Sequence, residues 1–218
     1  MSQRFPEKSA RDDERPDPEA LLKRYHLSDN DLEKAASPTS VKRGEGAQLH
    51  PGRLRVYLGS AAGVGKTYAM LNEGKRRKER GTDVVVGYVE THGRVQTQVQ
   101  LGDLEVLPRK KISYRGVTLE EMDTEAIIAR HPQVVLIDEL AHTNVAGSEH
   151  HKRYQDVFDV LDAGIDVITT LNVQHLESLN DLVESITGVR VRETLPDRIL
   201  DEADEVELID IAPSALRQ

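Results

Sequence analysis

Leu54-Arg55-Val56-Tyr57-Leu58 runs directly into Gly59-Ser60-Ala61-Ala62-Gly63-Val64-Gly65-Lys66-Thr67. An apolar run, a glycine-rich turn and a Lys-Thr pair in that order predict a buried strand, a phosphate-binding loop and the start of a helix. Such a turn aims several backbone N–H groups into one concavity, and the helix adds the positive end of its dipole. Lys66 is spaced to reach the terminal phosphates of a nucleoside triphosphate, and the Thr67 hydroxyl to ligate Mg2+. Ser60 stands where the strict spacing G-x-x-x-x-G-K-[ST] wants glycine, and Gly59 comes one position early. The tight part, Gly63 to Thr67, is intact. A surface turn with a chance Lys-Thr is the plainer alternative, and the flanking strand and helix argue against it.

Outward from this point the chain alternates. Strands are predicted over 54–58, 84–89, 134–138, 166–171 and 206–211, and helices over 66–80, 119–130, 152–163, 174–187 and 195–203. That alternation predicts an α/β fold with a mostly parallel central sheet and helices on both faces. Val84-Val85-Val86, Val134-Val135-Leu136-Ile137 and Val167-Ile168 are apolar without alternation, as strands covered on both faces should be.

Val134 to Ile137 ends in Asp138-Glu139. A carboxylate at the end of a buried strand can hold Mg2+ opposite Thr67, and Glu139 is placed to polarise an attacking water. The plainer alternative is a strand end capped by two acids. Three polar groups follow other strands or turns: Glu90-Thr91-His92-Gly93-Arg94, Ala141-His142-Thr143-Asn144 and Asn172-Val173-Gln174-His175. Ligands of open parallel sheets bind outside the carboxyl ends of the strands. Glu90, His92, Arg94, His142, Asn144, Asn172 and Gln174 are therefore candidates to sense the nucleotide or touch a substrate or partner. An ordinary loop hydrogen bond is the competing role for each. His150-His151 point apart as neighbours and lack a third ligand at suitable spacing, so they predict a solvated loop.

Composition narrows the classes. Of 218 residues, 38% are hydrophobic and 31% charged, with formal net charge −9. No apolar run is long enough to span a bilayer, and no secretory leader is visible. There is no cysteine, which removes disulfides and thiolate metal sites. These features predict a cytoplasmic protein that binds neither duplex nucleic acid nor lipid by bulk charge. Lys75-Arg76-Arg77-Lys78-Glu79-Arg80 reads as a solvated helix end, with Gly81 closing it. Asp197, Asp201, Glu202, Asp204, Glu205, Glu207 and Asp210 read as a solvated acidic segment rather than a metal site. Residues 1–52 read as a largely disordered tail and linker, with short helical segments at 19–26 and 29–36. The nucleotide-binding domain is predicted over 53–218.

Taken together, Gly-Val-Gly-Lys-Thr-Tyr-Ala-Met-Leu (63–71), Glu-Thr-His-Gly-Arg (90–94), Ile-Asp-Glu-Leu-Ala-His-Thr-Asn (137–144) and Thr-Leu-Asn-Val-Gln-His-Leu-Glu-Ser-Leu-Asn (170–180) resemble the N-terminal cytoplasmic domain of the KdpD family of sensor histidine kinases. Arg-Pro-Asp-Pro-Glu-Ala-Leu-Leu (15–22) is similar to that family's opening. The resemblance implies a P-loop NTPase-like three-layer fold that binds ATP with Mg2+. It also implies a sensory role in potassium-limitation and osmotic signalling, tuning the kinase/phosphatase balance toward a response regulator. Lys66, Thr67 and Asp138 match the family's Walker residues. The family's stress-protein-like, membrane, phospho-acceptor and kinase segments have no counterpart here, so a fragment or a freestanding regulator is expected, with at most weak ATPase activity. A freestanding P-loop ATPase or small-molecule kinase, and a non-catalytic scaffold, are the alternatives.

Overall fold

The computed structural model describes residues 51–60, 62–90 and 99–209. The expected tail up to residue 50, the helices expected at 19–26 and 29–36, and Ala61, His92, Arg94 and Asp210 lie outside the described residues. The elements in chain order are β1 (Leu54–Gly59), α1 (Lys66–Glu79), β2 (Val84–Tyr88), β3 (Glu105–Val106), β4 (Lys110–Tyr114) and β5 (Val117–Glu121). They continue with α2 (Thr124–Arg130), β6 (Val134–Ile137), α3 (Arg153–Asp162), β7 (Asp166–Asn172), α4 (Asn180–Thr187), α5 (Arg198–Asp201) and β8 (Glu205–Ile209).

Six strands form one parallel sheet in the order β3-β2-β6-β7-β1-β8. The apolar runs sit in its centre because each is covered twice. Leu54, Val56, Val85, Val135, Ile137 and Val167 face Ile127 of α2 and Val157, Val160 and Leu161 of α3. Their neighbours Tyr57, Val84, Val86, Val134, Leu136 and Ile168 face Met70 and Leu71 of α1. Successive strand side chains point to opposite faces, so the sheet divides the apolar residues into two cores and makes three layers. Each fully buried aliphatic side chain contributes about 1.5–3 kcal/mol.

Local chemistry sets the ends of the elements. In α1 the N–H groups of Gly81 and Thr82 return to the carbonyls of Lys78 (2.8 Å) and Arg77 (3.0 Å), a paired closure of the last turn. The basic cluster there is organised around Glu73. This carboxylate accepts from Arg77 at 2.9 Å and lies 3.3 Å from Arg76 and 3.5 Å from Arg55. The acidic segment is likewise partly engaged: the Asp204 carboxylate accepts the Leu54 N–H at 2.8 Å, and Arg55 pairs with Glu205 and Glu207.

Three predicted elements change. The helix expected over 119–130 begins only at Thr124, behind Asp123, whose side chain accepts the Ala126 N–H at 3.0 Å. Residues 117–121 instead pair antiparallel with 110–114 in a separate hairpin. Its two-residue turn is Arg115-Gly116, with φ of 49° and 80°, a twist that suits a hairpin. The helix expected over 174–187 is broken into two short 3-10 turns, Val173–His175 and Glu177–Leu179, before α4. Buried Leu176 bridges to Leu195 in a strand-like contact, and that pairing replaces the helical hydrogen bonds of its turn. The same bridge takes Leu195 out of the last predicted helix, which shrinks to α5. Among the described residues no helix is long and apolar enough to cross a membrane.

Candidate functional site

β1 and β6 are not neighbours: β7 lies between them. The loop after β1 and the acids after β6 therefore meet across the carboxyl end of β7. One cleft there is lined by Ala62, Gly63, Lys66, Thr67, Asp138, Glu139, His142, Thr170, Asn172, His175 and Glu193, among others.

The loop is shaped by glycine where the backbone requires it. Gly63 and Gly65 have φ of 87° and 99°, the left-handed region that side chains resist. Gly59, the displaced glycine, answers a different need. A Cβ there would stand 2.6 Å from Val64 and 2.7 Å from the Lys66 stem. The loop folds back onto its own first residue, so the close approach that calls for glycine falls at position 59 rather than at Ser60. Lys66 is only 7% exposed and lines the cleft.

Facing it, the Thr67 hydroxyl lies 3.1 Å from Asp138 Oδ2. Thr170 of β7 donates to Asp138 Oδ1 at 2.5 Å and accepts the Glu139 N–H at 3.1 Å. Burial pushes the Asp138 carboxyl upward. The hydrogen bonds from Thr170, Thr67 and the Glu90 N–H, and the charge of Arg153, oppose that rise. Thr67 and Asp138 thus offer hard oxygen donors close enough to share one cation. Among the described residues no group of three or more His, Cys, Asp or Glu could hold a metal.

Glu139 has φ of 60°, which costs a residue other than glycine about 1–3 kcal/mol. The surroundings hold it there. Its N–H is fixed by Thr170, and its carboxylate lies 3.9 Å from Arg153 while remaining 41% exposed. Arg153, at the start of α3, is fully buried. It donates to the Asp138 carbonyl and to Glu121 Oε2, both at 3.1 Å, and stands 3.7 Å from the centre of the Tyr88 ring. Glu121, at the end of β5, also accepts from His142 Nε2 (3.0 Å) and the Val145 N–H (2.8 Å). Burial works against its ionisation, but the His142 and Val145 hydrogen bonds and the Arg153 charge prevail and hold its carboxyl below the usual range.

The sequence candidates separate in space. Lys66, Thr67, Asp138, Glu139, His142 and Asn172 share the cleft. Asn144 does not: it is buried against Asp156 and the His150 carbonyl, beside a different cavity. Gln174 is absent from the lining, where His175 stands instead. The Glu90 side chain turns toward the Tyr88 hydroxyl (3.2 Å) and Arg109 (3.6 Å), and its backbone N–H serves Asp138. Sequence reasoning does not reach Arg153, Glu121, Thr170 or Glu193. Thr169-Thr170 inside an otherwise apolar strand was the available signal for one of them. Glu193 accepts the Thr143 N–H at 3.0 Å, and its carbonyl accepts from His175 Nδ1 at 2.7 Å, which draws the segment after α4 over the cleft.

A family model, the KdpD osmosensitive K+ channel His kinase sensor domain, matches residues 50–218. The chain belongs to the KdpD sensor-domain family. The sensor protein KdpD of Mycobacterium tuberculosis is 60% identical over 167 residues, covering 77% of this chain and 19% of the relative. That of Escherichia coli K12 is 50% identical over 204 residues, covering 94% of this chain and 20% of the relative. The chain thus spans about a fifth of the length of these KdpD relatives. Among solved structures, one ATPase domain is similar with a TM-score of 0.41 at 13% identity, covering 87% of this chain and 81% of that chain.

Proposed function

We propose that this domain is the ATP-binding regulatory module of a KdpD-type sensor kinase. MgATP sits with its phosphates in the 59–66 loop and its cation between Thr67 and Asp138. The observation that carries this reading is the convergence of a buried lysine, a threonine hydroxyl and a buried aspartate in one cleft at the carboxyl end of a parallel sheet. Lys66 offsets phosphate charge, and the loop amides donate to the remaining phosphate oxygens. Asn172 and His142 line the same cleft, which supports a part for them in the response to the terminal phosphate. On the family's account, that response alters how the rest of the kinase acts on its response regulator, from the cytoplasmic side of a membrane. Nothing in this reading assigns histidine-kinase chemistry to these residues.

Titration calorimetry tests it. Lys66→Ala removes a charge-assisted contact in a poorly solvated cleft, so MgATP affinity should fall about 10- to 100-fold with an unchanged circular dichroism spectrum. Equal affinity in variant and parent would refute the assignment. A second reading, slow hydrolysis, rests on Glu139. Its carboxylate lines the cleft and is steadied by Arg153. Steady-state phosphate release that disappears in Glu139→Gln would favour it.

A further inference from the structure

The backbone and ring plane of His142 are fixed by their neighbours. Its N–H donates to the Glu139 carbonyl at 3.0 Å, and its own carbonyl accepts the Arg153 N–H at 3.1 Å. Its ring stacks on Tyr88, with centroids 6.4 Å apart and planes 24° apart. The hydrogen-bonding sense of the ring is set by one buried side chain. Glu121 is 4% exposed. Its Oε1 lies 3.0 Å from His142 Nε2 and 2.8 Å from the Val145 nitrogen, and its Oε2 lies 3.1 Å from Arg153. Burial alone would raise its carboxyl, but the His142 and Val145 hydrogen bonds and the Arg153 charge hold it below the usual range. It is therefore an anion at neutral pH, and a carboxylate only accepts. Nε2 must carry the hydrogen. A neutral imidazole has one N–H, so Nδ1 is left as an acceptor. That atom lies 3.9 Å from Glu193 Oε1, and His142 and Glu193 line the cleft with Lys66 and Thr67.

We propose that Glu121 is a positioning residue of the cleft: it holds His142 as the Nε2–H tautomer and so presents Nδ1 to the cleft as a hydrogen-bond acceptor. Glu121 itself does not line the cleft; it acts through the ring. A bare nitrogen cannot bond a phosphate oxygen, which is also an acceptor. It takes one hydrogen of a water, and the second hydrogen of that water serves the phosphate. His142 thus recognises the terminal phosphate of MgATP through a water, and MgADP, which lacks that phosphate, gains nothing from it. This last step rests on the proposed nucleotide site; the tautomer does not.

Two measurements test it. Long-range proton–nitrogen correlation spectra of the nucleotide-free parent, with the His142 signals assigned by their loss in His142→Ala, should show an Nε2–H ring at pH of about 8, above the ordinary imidazole range. An Nδ1–H ring or a mixture of tautomers overturns the proposal, whether or not the domain binds nucleotide. The second is calorimetry with MgATP and with MgADP. His142→Ala should lower MgATP affinity about fivefold, the worth of one net hydrogen bond, and leave MgADP affinity within about twofold. Glu121→Gln keeps the shape but offers one carbonyl to three donors, so it should lower the ratio of ATP to ADP affinity by a similar factor. Added to His142→Ala, it should lower that ratio no further, because both changes act through one ring. Equal loss of both nucleotides in Glu121→Gln, an unchanged ratio in either variant, or ratios that add in the double variant would mean that Glu121 only supports the fold, and would overturn the proposal. If Glu121→Gln does not fold, the tautomer of the parent and the His142→Ala ratio decide. A parent that binds neither nucleotide refutes the proposed function and leaves the tautomer to decide the role of Glu121.

Discussion

Arg153 and Arg130 both hold two elements together through carboxylates, yet they do different work. Arg130, at the end of α2, forks onto Asp83 with two contacts of 2.9 Å and reaches Glu105 at 3.0 Å. It is 35% exposed, so water screens the pairs and can replace them. Arg153 makes contacts of similar length but has no exposed side-chain surface. Among the described residues, Glu121, the Asp138 carbonyl, Glu139 and the Tyr88 ring stand in for water around its charge. Contact distance does not rank the two; burial does. Where the protein needs a fixed geometry behind Asp138 and Glu139, it uses the arrangement that is expensive to disturb.

Four substitutions probe that contrast. Arg153→Ala leaves Glu121 buried without its cation and should lower unfolding free energy by about 3–5 kcal/mol in urea titrations; a loss as small as that of an ordinary surface change would erase the distinction. The second test is acid stability. Glu121 titrates below its unfolded value, so its contribution is complete above the unfolded carboxyl pKa and is lost as pH falls through the lower folded one. Glu121→Gln should flatten that acid limb of the stability profile, although it also lowers stability at neutral pH. An unchanged limb would show that the network is not sensed there. Third, Glu139→Gly relieves the left-handed strain, of about 1–3 kcal/mol, but adds the flexibility of glycine, about 0.5–1 kcal/mol. A net gain between about 0 and 2.5 kcal/mol is expected, and a loss would mean that the Glu139 side chain stabilises more than its backbone costs. Last, Arg130→Ala should leave the melting temperature nearly unchanged, and a large drop would put the exposed fork on a par with the buried one.

The same contrast explains what was legible in the sequence. The central strands could be read because burial on both faces demands unbroken apolar runs. The glycine turn between β1 and α1, and Asp138 after β6, could be read because their spacing is fixed by local geometry. Arg153 could not. It sits 32 residues from Glu121, and an arginine at a helix start looks the same whether it meets water or a buried acid. The hairpin is hidden in the sequence for a different reason. Leu119-Glu120-Glu121 continues smoothly into the pattern of α2, so helical periodicity absorbed a strand. The period-two pattern of Ile112, Tyr114, Val117 and Leu119 around Arg115-Gly116 was present and pointed correctly. Asn144 and Gln174 illustrate a third limit: being near a strand end does not say which way a side chain turns.

The neighbours of β1 bear on how the molecule is made. The strand that leads into the Gly59–Thr67 turn pairs with β7 and β8, so Leu54 lies beside Val167 and Arg55 beside Glu205. Both partners leave the ribosome long after the loop has done so. A nascent chain halted before β7 would display the whole Gly59–Thr67 signature and still lack both strands that flank β1. The cleft between the Gly59–Thr67 turn and Asp138 is therefore completed late in synthesis, once the far end of the sheet has closed around β1.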